Sequence, residues 1–352
     1  MSQQNDCNYP QRALEMVRKG ALPRTGQWRA FLHQICDPLE IDPQQLIAQL
    51  LACPVTVNFH IDRLAPNGDS VLTNLMRDGE YRGQFQTGIS NGGVSAYPGG
   101  ERFLWEQHMF SDSYPDDVLM RPKYGALNLL RYPDGASMRF GACYLSLNPQ
   151  IVSRCSFSYG DSSGYPETCC TADTFEGIAA ALLEQVQTSS RLLNLVVSSP
   201  QEALSILLWG APGAGCMLGR NLDYCIESHI HGELSLERDV ESLWLDGSYR
   251  GTIWEQQART LCQQYHMDLE WIPARRLALE RIDVLFRGPN IPAIAQRIVR
   301  LFGDGEKFID ANRIGLAARD SICHPERWND FGNQSEVYRA LKQLWHMVGY
   351  FG

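Results

Sequence analysis

The sequence lacks the features that would mark it for a membrane, for export or for a disulfide framework. No stretch reaches the roughly 18 consecutive apolar residues of a membrane-spanning helix. The opening run, MSQQNDCNYP, is polar and does not show the charged-then-apolar pattern of a signal peptide. The 11 cysteines are odd in number and include no CxxC pair. These absences predict reduced thiols in a cytoplasmic protein with no membrane partner, and they argue against a cysteine zinc site.

Two catalytic signatures and an excess of positive charge are missing as well. No GxSxG nucleophile elbow occurs, and GAPGAG at 210–215 lacks the Gly-Lys-Ser/Thr ending of a phosphate loop. Lys and Arg number 31 against 40 Asp and Glu, which gives a net charge of -9. An acidic chain has no general electrostatic attraction to nucleic acid, so any such contact would need a local basic patch.

The arrangement of apolar residues predicts an α+β fold. Residues 10–53 carry apolar side chains at helical spacing. Strand-like segments follow in VTVNFHIDRL, KYGALNLL, MRFGACYLSLN, RCSFSYGDS and CIESHIHGEL, with a helix predicted over 174–195. Helical signals return in LERDVESLWL and through most of 253–345. We therefore predict an N-terminal helical segment (1–53), a strand-rich mixed α/β core (54–252) and a mainly helical C-terminal region (253–352).

A glycine-rich stretch, YRGQFQTGISNGGVSAYPGGERF, interrupts the predicted core. Its glycines predict an irregular loop, and a long loop in a compact domain is usually functional or disordered. Glycine lets the backbone approach a ligand, and backbone amides can cradle a pyrophosphate. Gln84, Gly92 and Gly93 are therefore candidate binding residues, with a plain surface loop as the alternative.

Two strands carry runs of polar residues at alternate positions, which places each run on one face. Asn58, His60 and Asp62 form the first run; Glu227, His229 and His231 form the second, and a buried carboxylate between imidazoles is costly unless it is paired or used. We predict that His60 and Glu227 open into one cleft. The alternatives are a hydrogen-bonded strand end for the first run and an exposed sheet face for the second. In two other strand-like segments, Tyr124 and Phe140 could stack on a flat ring, with core packing as the alternative for at least one of them, and Arg139 could pair with phosphate.

Several segments together resemble a bacterial family of unknown function over about residues 50–300. The blocks that carry the resemblance are VTVNFHIDR, YRGQFQTGISNGG, RPKYGALNL, RFGACYLSL and IHGELSLERDVE. The resemblance implies membership of that family and names no activity.

The order of motifs also resembles that of ADP-ribosyltransferases, in particular those that modify nucleic acid. That family has a His on an early strand, a helix that ends in glycine, a central strand with aromatic and serine residues, and a late strand with a Glu. Here these positions match His60, Gly79, Tyr144 with Ser146, and Glu227.

The sequence departs from that pattern in two places. Cys225 stands where the family has a Glu or Gln two residues before its catalytic Glu, and the spacing from His60 to Glu227 is long.

The second resemblance implies an enzyme that transfers ADP-ribose from NAD to a protein or nucleic-acid acceptor. Glu227 would orient the nicotinamide ribose and stabilise the positive charge that develops on it, and His60 would bond the other ribose. Tyr124 or Tyr81 would stack on nicotinamide, and Arg63 or Arg139 would pair with the pyrophosphate. The full set of candidate NAD-binding residues is Arg63, Tyr81, Gln84, Gly92, Gly93, Tyr124, Arg139 and Ser146.

Two other functions stay open at this level. His60, Asp62, His229 and His231 have the residue types of a metal site, which would make the protein a metal-dependent hydrolase or nuclease with Glu227 as the general base. A non-enzymatic protein that binds a ligand with the glycine loop and the aromatic residues is the third possibility. The sequence leaves the acceptor and the oligomeric state undetermined.

Overall fold

The computed structural model describes residues 8–89, 95–210, 218–282, 285, 288 and 290–352. It is a mixed α/β structure with helices at both ends of the chain and a large sheet between them, which confirms the coarse fold prediction. The helices are α1 (Tyr9–Ala21), α2 (Thr25–Cys36), α3 (Pro43–Leu51), α4 (Val71–Asp78), α5 (Gln84–Thr87), α6 (Glu101–Met109), α7 (Glu176–Ser189), α8 (Pro200–Trp209), α9 (Leu236–Asp239), α10 (Ile253–Gln264), α11 (Ile291–Phe302), α12 (Ala311–Cys323) and α13 (Gln334–Phe351). The strands are β1 (Val55–Phe59), β2 (Lys123–Leu127), β3 (Cys143–Leu147), β4 (Cys155–Tyr159), β5 (Cys169–Thr171), β6 (Arg191–Leu192), β7 (Leu195–Val196), β8 (Ile226–Ile230), β9 (Val240–Asp246), β10 (Asp268–Ile272), β11 (Leu277–Ala278) and β12 (Phe308–Ile309).

The helices of residues 10–53 form where the sequence predicts them, and polar caps start two of them. The Asn8 side chain accepts a hydrogen bond from the Gln11 amide at the start of α1. The Asp42 side chain does the same for Gln44 at the start of α3, where Pro43 occupies the first turn. Such caps satisfy backbone donors that have no partner inside the helix. This part of the prediction is confirmed.

Eight strands form one sheet in the order β10-β9-β3-β1-β2-β8-β4-β5. Neighbouring strands are antiparallel except β9 and β10, which are parallel. Gly125 on β2 allows β1 and β2 to approach, because a Cβ there would lie 2.7 Å from the Thr56 carbonyl oxygen. The sheet brings β1, β2, β8 and β4 side by side, although β1 and β8 are far apart in the sequence.

One expectation of regular structure was wrong. The segment LERDVESLWL contains only the four-residue helix α9 and continues as strand β9. Its apolar residues at 236, 240 and 243 fit a helix, but pairing with β3 on one side and β10 on the other decides the outcome. The region 253–352 is mainly helical, as predicted, and it also contributes strand β10 to the sheet. The division of the chain at residue 252 stays a prediction.

The glycine-rich stretch is less irregular than predicted. The short helix α5 ends at Gly88, whose φ is 66°, and α6 begins directly after Gly100. The described glycines of this stretch lie beside the ends of the two helices and not inside them, so neither helix carries the free-energy cost of an interior glycine. Gly92 and Gly93 lie outside the described residues.

Apolar side chains from nearly every element meet in one large core, with a smaller cluster between α1 and the end of α6. Helices α11, α12 and α13 pack on one another. Trp345 of α13 ties this group to the sheet, because its indole N–H donates to the Met138 carbonyl at 2.8 Å. The described cysteines are free thiols. None of the described helices has the length and apolarity needed to cross a membrane.

Candidate functional site

A cavity of about 530 Å³ opens beside the polar face of β1, β2 and β8. Most of the residues singled out in the sequence line it: His60, Arg63, Tyr81, Gln84, Tyr124, Arg139 and Glu227. Ser146 does not; it lies in the middle of the sheet, paired with Thr56 and Ser242. The structure therefore brings His60 and Glu227 to one cavity and leaves Ser146 outside it.

Glu227 lies on β8 and is 5% exposed. Its Oε1 accepts hydrogen bonds from the Ser162 amide at 3.2 Å and from His229 Nε2 at 3.0 Å. No described residue donates a hydrogen bond to Oε2, and that atom is not among the buried atoms without a partner. One carboxylate oxygen is thus fixed by the protein, which leaves the other for a ligand in the cavity.

Behind Glu227, a chain of hydrogen bonds runs into the interior. His229 Nδ1 lies 3.0 Å from Ser156 Oγ, and Ser156 Oγ lies 2.9 Å from His231 Nε2. His231 Nδ1 lies 2.8 Å from the Tyr114 hydroxyl. The pairing of β8 with β4 produces this contact, because it places Ser156 opposite His229. We call Tyr114, His231, Ser156, His229 and Glu227 the relay.

One arrangement of protons, with Tyr114 as the first donor, satisfies every link of the relay. Burial raises the pKa of the Tyr114 phenol, so the hydroxyl keeps its proton, and in this arrangement its O–H donates a hydrogen bond to His231 Nδ1. Burial lowers the pKa of His231 well below 6.5, so this neutral ring donates from Nε2 to Ser156. Ser156 has one proton and gives it to His229 Nδ1, and His229 Nε2–H donates to Glu227. Every donor in the relay therefore points toward the carboxylate.

His60 stands one residue beyond β1, not on the strand as predicted, because the extended conformation ends at Phe59. Its ring meets the Trp345 ring edge-on at 5.3 Å. Burial, with the charges of Arg63 and His346, lowers the pKa of His60 well below 6.5. Nδ1 makes no hydrogen bond to a described residue. His60 therefore offers a neutral imidazole to the cavity wall.

Asp62 does not share a face with His60, because the chain turns after β1. Its carboxylate accepts from Arg63 Nη1 at 2.6 Å and from the Tyr249 hydroxyl at 2.8 Å. Burial raises the pKa of Asp62, and the Arg63 charge opposes that rise. Arg63 lines the cavity, but its guanidinium is engaged in this buried pair. Its predicted role toward pyrophosphate stays a prediction.

Helix α6 forms a second wall, and Glu106 anchors it to β2. The Tyr124 hydroxyl donates to Glu106 Oε1 at 2.9 Å, and Arg121 Nη1 lies 3.2 Å from Oε2. Burial raises the pKa of Glu106, while the charges of Arg102 and Arg121 oppose the rise. Tyr124 also meets the His229 ring edge-on at 5.3 Å. The aromatic ring predicted to stack on a ligand is thus held between the relay and α6.

Buried polar atoms that make no hydrogen bond to a described residue are concentrated in this cavity wall. Buried polar atoms normally find a hydrogen bond, so each exception needs an explanation. The cavity-lining side chains with a buried nitrogen or oxygen that makes no hydrogen bond to a described residue are His60, Glu80, Gln84, Arg102 and Arg139. Their grouping indicates that the cavity takes a polar ligand.

The side chains named for the metal-site alternative are not gathered into one group. Within the described ranges, no group of three or more His, Cys, Asp and Glu side chains is arranged to hold a metal ion. His229 and His231 instead share Ser156, and Asp62 is bound to Arg63 and Tyr249.

Sequence reasoning missed several residues of the site. Arg102 and Glu106 lie four residues apart on one face of α6, together with Met109. That spacing is a helical signal, hidden by the surrounding glycines. Ser156 lies on a strand where serine alternates with Phe157, which marks a polar face. Tyr114 follows α6 and carries no comparable signal.

The comparisons with known proteins identify a family without an activity. No curated protein matches the chain. A family model described as "Protein of unknown function (DUF3626)" matches residues 54–351. The match confirms the predicted resemblance to a family of unknown function and extends it through the C-terminal helices. The chain belongs to this DUF3626 family.

Proposed function

We propose that the protein is an ADP-ribosyltransferase-like enzyme that cleaves NAD at the nicotinamide ribose and transfers ADP-ribose to a macromolecular acceptor. The observation that carries the proposal is the state of Glu227. It is a buried carboxylate in a cavity wall, with Oε1 held by two donors and Oε2 left for a ligand.

This arrangement suits a reaction in which positive charge develops on a ribose. The bond between ribose carbon and nicotinamide nitrogen breaks, and nicotinamide leaves with the bonding electrons. The acceptor's nucleophilic atom then bonds that carbon and loses its proton. A fixed carboxylate beside the ribose bonds a hydroxyl and stabilises the cationic transition state, and a preorganised charge needs no rearrangement during the step. Glu227 takes this role.

The cavity supports a dinucleotide by its size and its wall. About 530 Å³ falls within the range of small-molecule and cofactor sites. Aromatic rings of Tyr81, Phe85, Tyr124 and Phe140 line it and suit flat heterocycles. His60 Nδ1, which makes no hydrogen bond to a described residue, suits a ribose hydroxyl, the role that the resemblance implies.

Free nicotinamide released from NAD by the native chain tests the proposal, with transfer of labelled ADP-ribose followed on protein, DNA and RNA. We expect nicotinamide release to continue at an unchanged rate after treatment with EDTA. NAD that binds in the cavity without cleavage would make the protein a ligand-binding protein. Cleavage that stops on chelation and returns with a transition metal would favour a metal-dependent enzyme.

A further inference from the structure

Arg102 is a buried cation that forms no ion pair with a described carboxylate. It is the second residue of α6, it lines the cavity and it is 8% exposed. Nε and Nη1 are shielded from solvent, and neither makes a hydrogen bond to any described residue. Nε and Nη1 of this guanidinium lose their hydration and gain no hydrogen bond from a described residue in return, so they are available to a partner from outside the chain.

The carboxylates whose charges act on Arg102 are already occupied. Glu106 is bound by Arg121 and by the Tyr124 hydroxyl. Asp161 accepts from the Ser163 amide and hydroxyl and pairs with Arg139. Arg102 influences the pKa values of both acids only through longer-range charge. The charge of Arg102 is balanced at a distance, while its Nε and Nη1 make no hydrogen bond to a described residue.

Aromatic rings hold the guanidinium in place. Its central carbon lies 4.4 Å from the centroid of the Tyr124 ring and 4.9 Å from that of Trp105. The backbone is fixed too, since the Arg102 amide donates to Ser95 Oγ at 3.2 Å. A planar donor fork held against rings is prepared for bidentate contact with an anion.

We infer that Arg102 anchors an anion subsite of the cavity and binds a phosphate group of the ligand there. The inference rests on the proposed function in naming a dinucleotide phosphate as the anion. It departs from the sequence prediction, which gives this role to Arg63 or Arg139. Both of those have acidic partners: Asp62 for Arg63, and Asp161 with Asp223 for Arg139.

Calorimetric titration tests the subsite with ADP-ribose, inorganic pyrophosphate and adenosine as probes. Arg102→Gln should weaken ADP-ribose and pyrophosphate binding by about 10- to 100-fold, the range for charge-assisted hydrogen bonds, and should leave adenosine affinity unchanged. Arg102→Lys keeps the charge but loses the fork, so it should fall between native and Gln. Arg259→Gln, an exposed arginine on α10, is the charge-matched control.

The melting temperature separates binding from a structural role. Removing an unpaired buried charge should leave Tm unchanged or raise it, whereas removing a structural contact lowers it. ADP-ribose affinity of Arg102→Gln within threefold of native would overturn the subsite. The subsite would also be overturned if the native protein bound neither ADP-ribose nor pyrophosphate, or if it bound succinate, a dicarboxylate without phosphate, more tightly than both. A joint loss of Tm and affinity that Arg102→Lys does not restore would make Arg102 structural and overturn it as well.

Nicotinamide release is measured on the same preparations, so that failure of the anion subsite can be distinguished from failure of the proposed function. Arg102-dependent phosphate binding without NAD cleavage rejects the transferase and leaves the subsite standing. NAD cleavage with phosphate affinity that does not depend on Arg102 rejects the subsite alone.

Discussion

Tyr114, in the segment after α6, is joined to Glu227 on β8 by hydrogen bonds that pass through His231, Ser156 and His229. A buried phenol thus contacts the cavity carboxylate through three intermediates. Each intermediate both accepts and donates, so the orientation of one side chain depends on the next. Hydrogen bonds in such a series polarise one another, and removing one link affects more than its own pair.

Ser156→Ala should destabilise the protein more than a single lost hydrogen bond would. The hydroxyl serves His229 Nδ1 and His231 Nε2, and its removal leaves both buried nitrogens without partners. Each unsatisfied buried group costs about 1–3 kcal/mol. Ser158→Ala is the matched control, because Ser158 is also buried on β4 but bonds a single carbonyl, that of Gly160. Urea unfolding of the two variants gives the comparison; equal losses would show that the relay adds nothing.

Because His231 is buried, we expect the protein to lose stability at mildly acidic pH. Burial lowers its folded-state pKa well below 6.5, so below pH 6.5 the unfolded chain takes up a proton that the folded chain refuses. The contribution of neutral His231 to the free energy of unfolding is complete above pH 6.5 and is lost as pH falls toward the folded-state pKa. Between pH 6.5 and 5.5 this amounts to about 1 kcal/mol in the free energy of unfolding.

The comparison that isolates this effect is native protein against His231→Gln, unfolded in urea at both pH values. The variant has no imidazole at this position, so its stability should fall less over the interval. The raised pKa values of buried acids such as Asp62 and Glu106 act in both proteins and cancel. Parallel pH dependences would mean that His231 accepts a proton in the folded state.

The sequence predicted the parts of the fold that local pattern controls. The N-terminal helices and strands β1 to β4 and β8 follow from apolar spacing and capping. Strand β9 was missed because its apolar spacing also fits a helix, and only the neighbouring strands decide between them.

The site too was predicted only where local sequence pattern reveals it. His60 and Glu227 stand out as polar residues within strand-like runs, and both line the cavity. The roles of Arg102 and Ser156 depend on which side chains meet them across the fold. A single sequence does not contain that information. Nothing in the sequence distinguishes Arg121 from the other arginines, and only the structure shows that it binds Glu106.

The Asp62–Arg63 pair should prove structural. Asp62→Asn leaves the Arg63 charge buried without its partner, and breaking a buried pair in this way costs about 3–5 kcal/mol. The double variant Asp62→Asn with Arg63→Met removes both charges and should be the more stable of the two. Guanidinium chloride unfolding measures the difference. A double variant no more stable than Asp62→Asn would show that the pair is not the source of the loss.

Glu227→Gln should abolish nearly all NAD cleavage while it leaves the fold and dinucleotide affinity close to native. The substitution keeps the size of the side chain and an oxygen that can accept from Ser162 and His229, but it removes the charge. That charge matters most in the transition state, where interactions raise the rate without tightening ground-state binding. We expect kcat for nicotinamide release to fall on the order of 100-fold or more, as for other removed electrostatic stabilisers.

Two further variants sharpen this prediction. Glu241→Gln makes the same chemical change at an exposed carboxylate on β9 of the same sheet and should retain full activity. His60→Ala should weaken NAD binding as well as the rate, because its imidazole is assigned to the ribose that does not react. If Glu227→Gln released nicotinamide within a few-fold of native, the carboxylate would not stabilise the ribosyl cation. Glu227 would then be only a polar group of the cavity wall, and the transferase assignment would lose the observation that carries it.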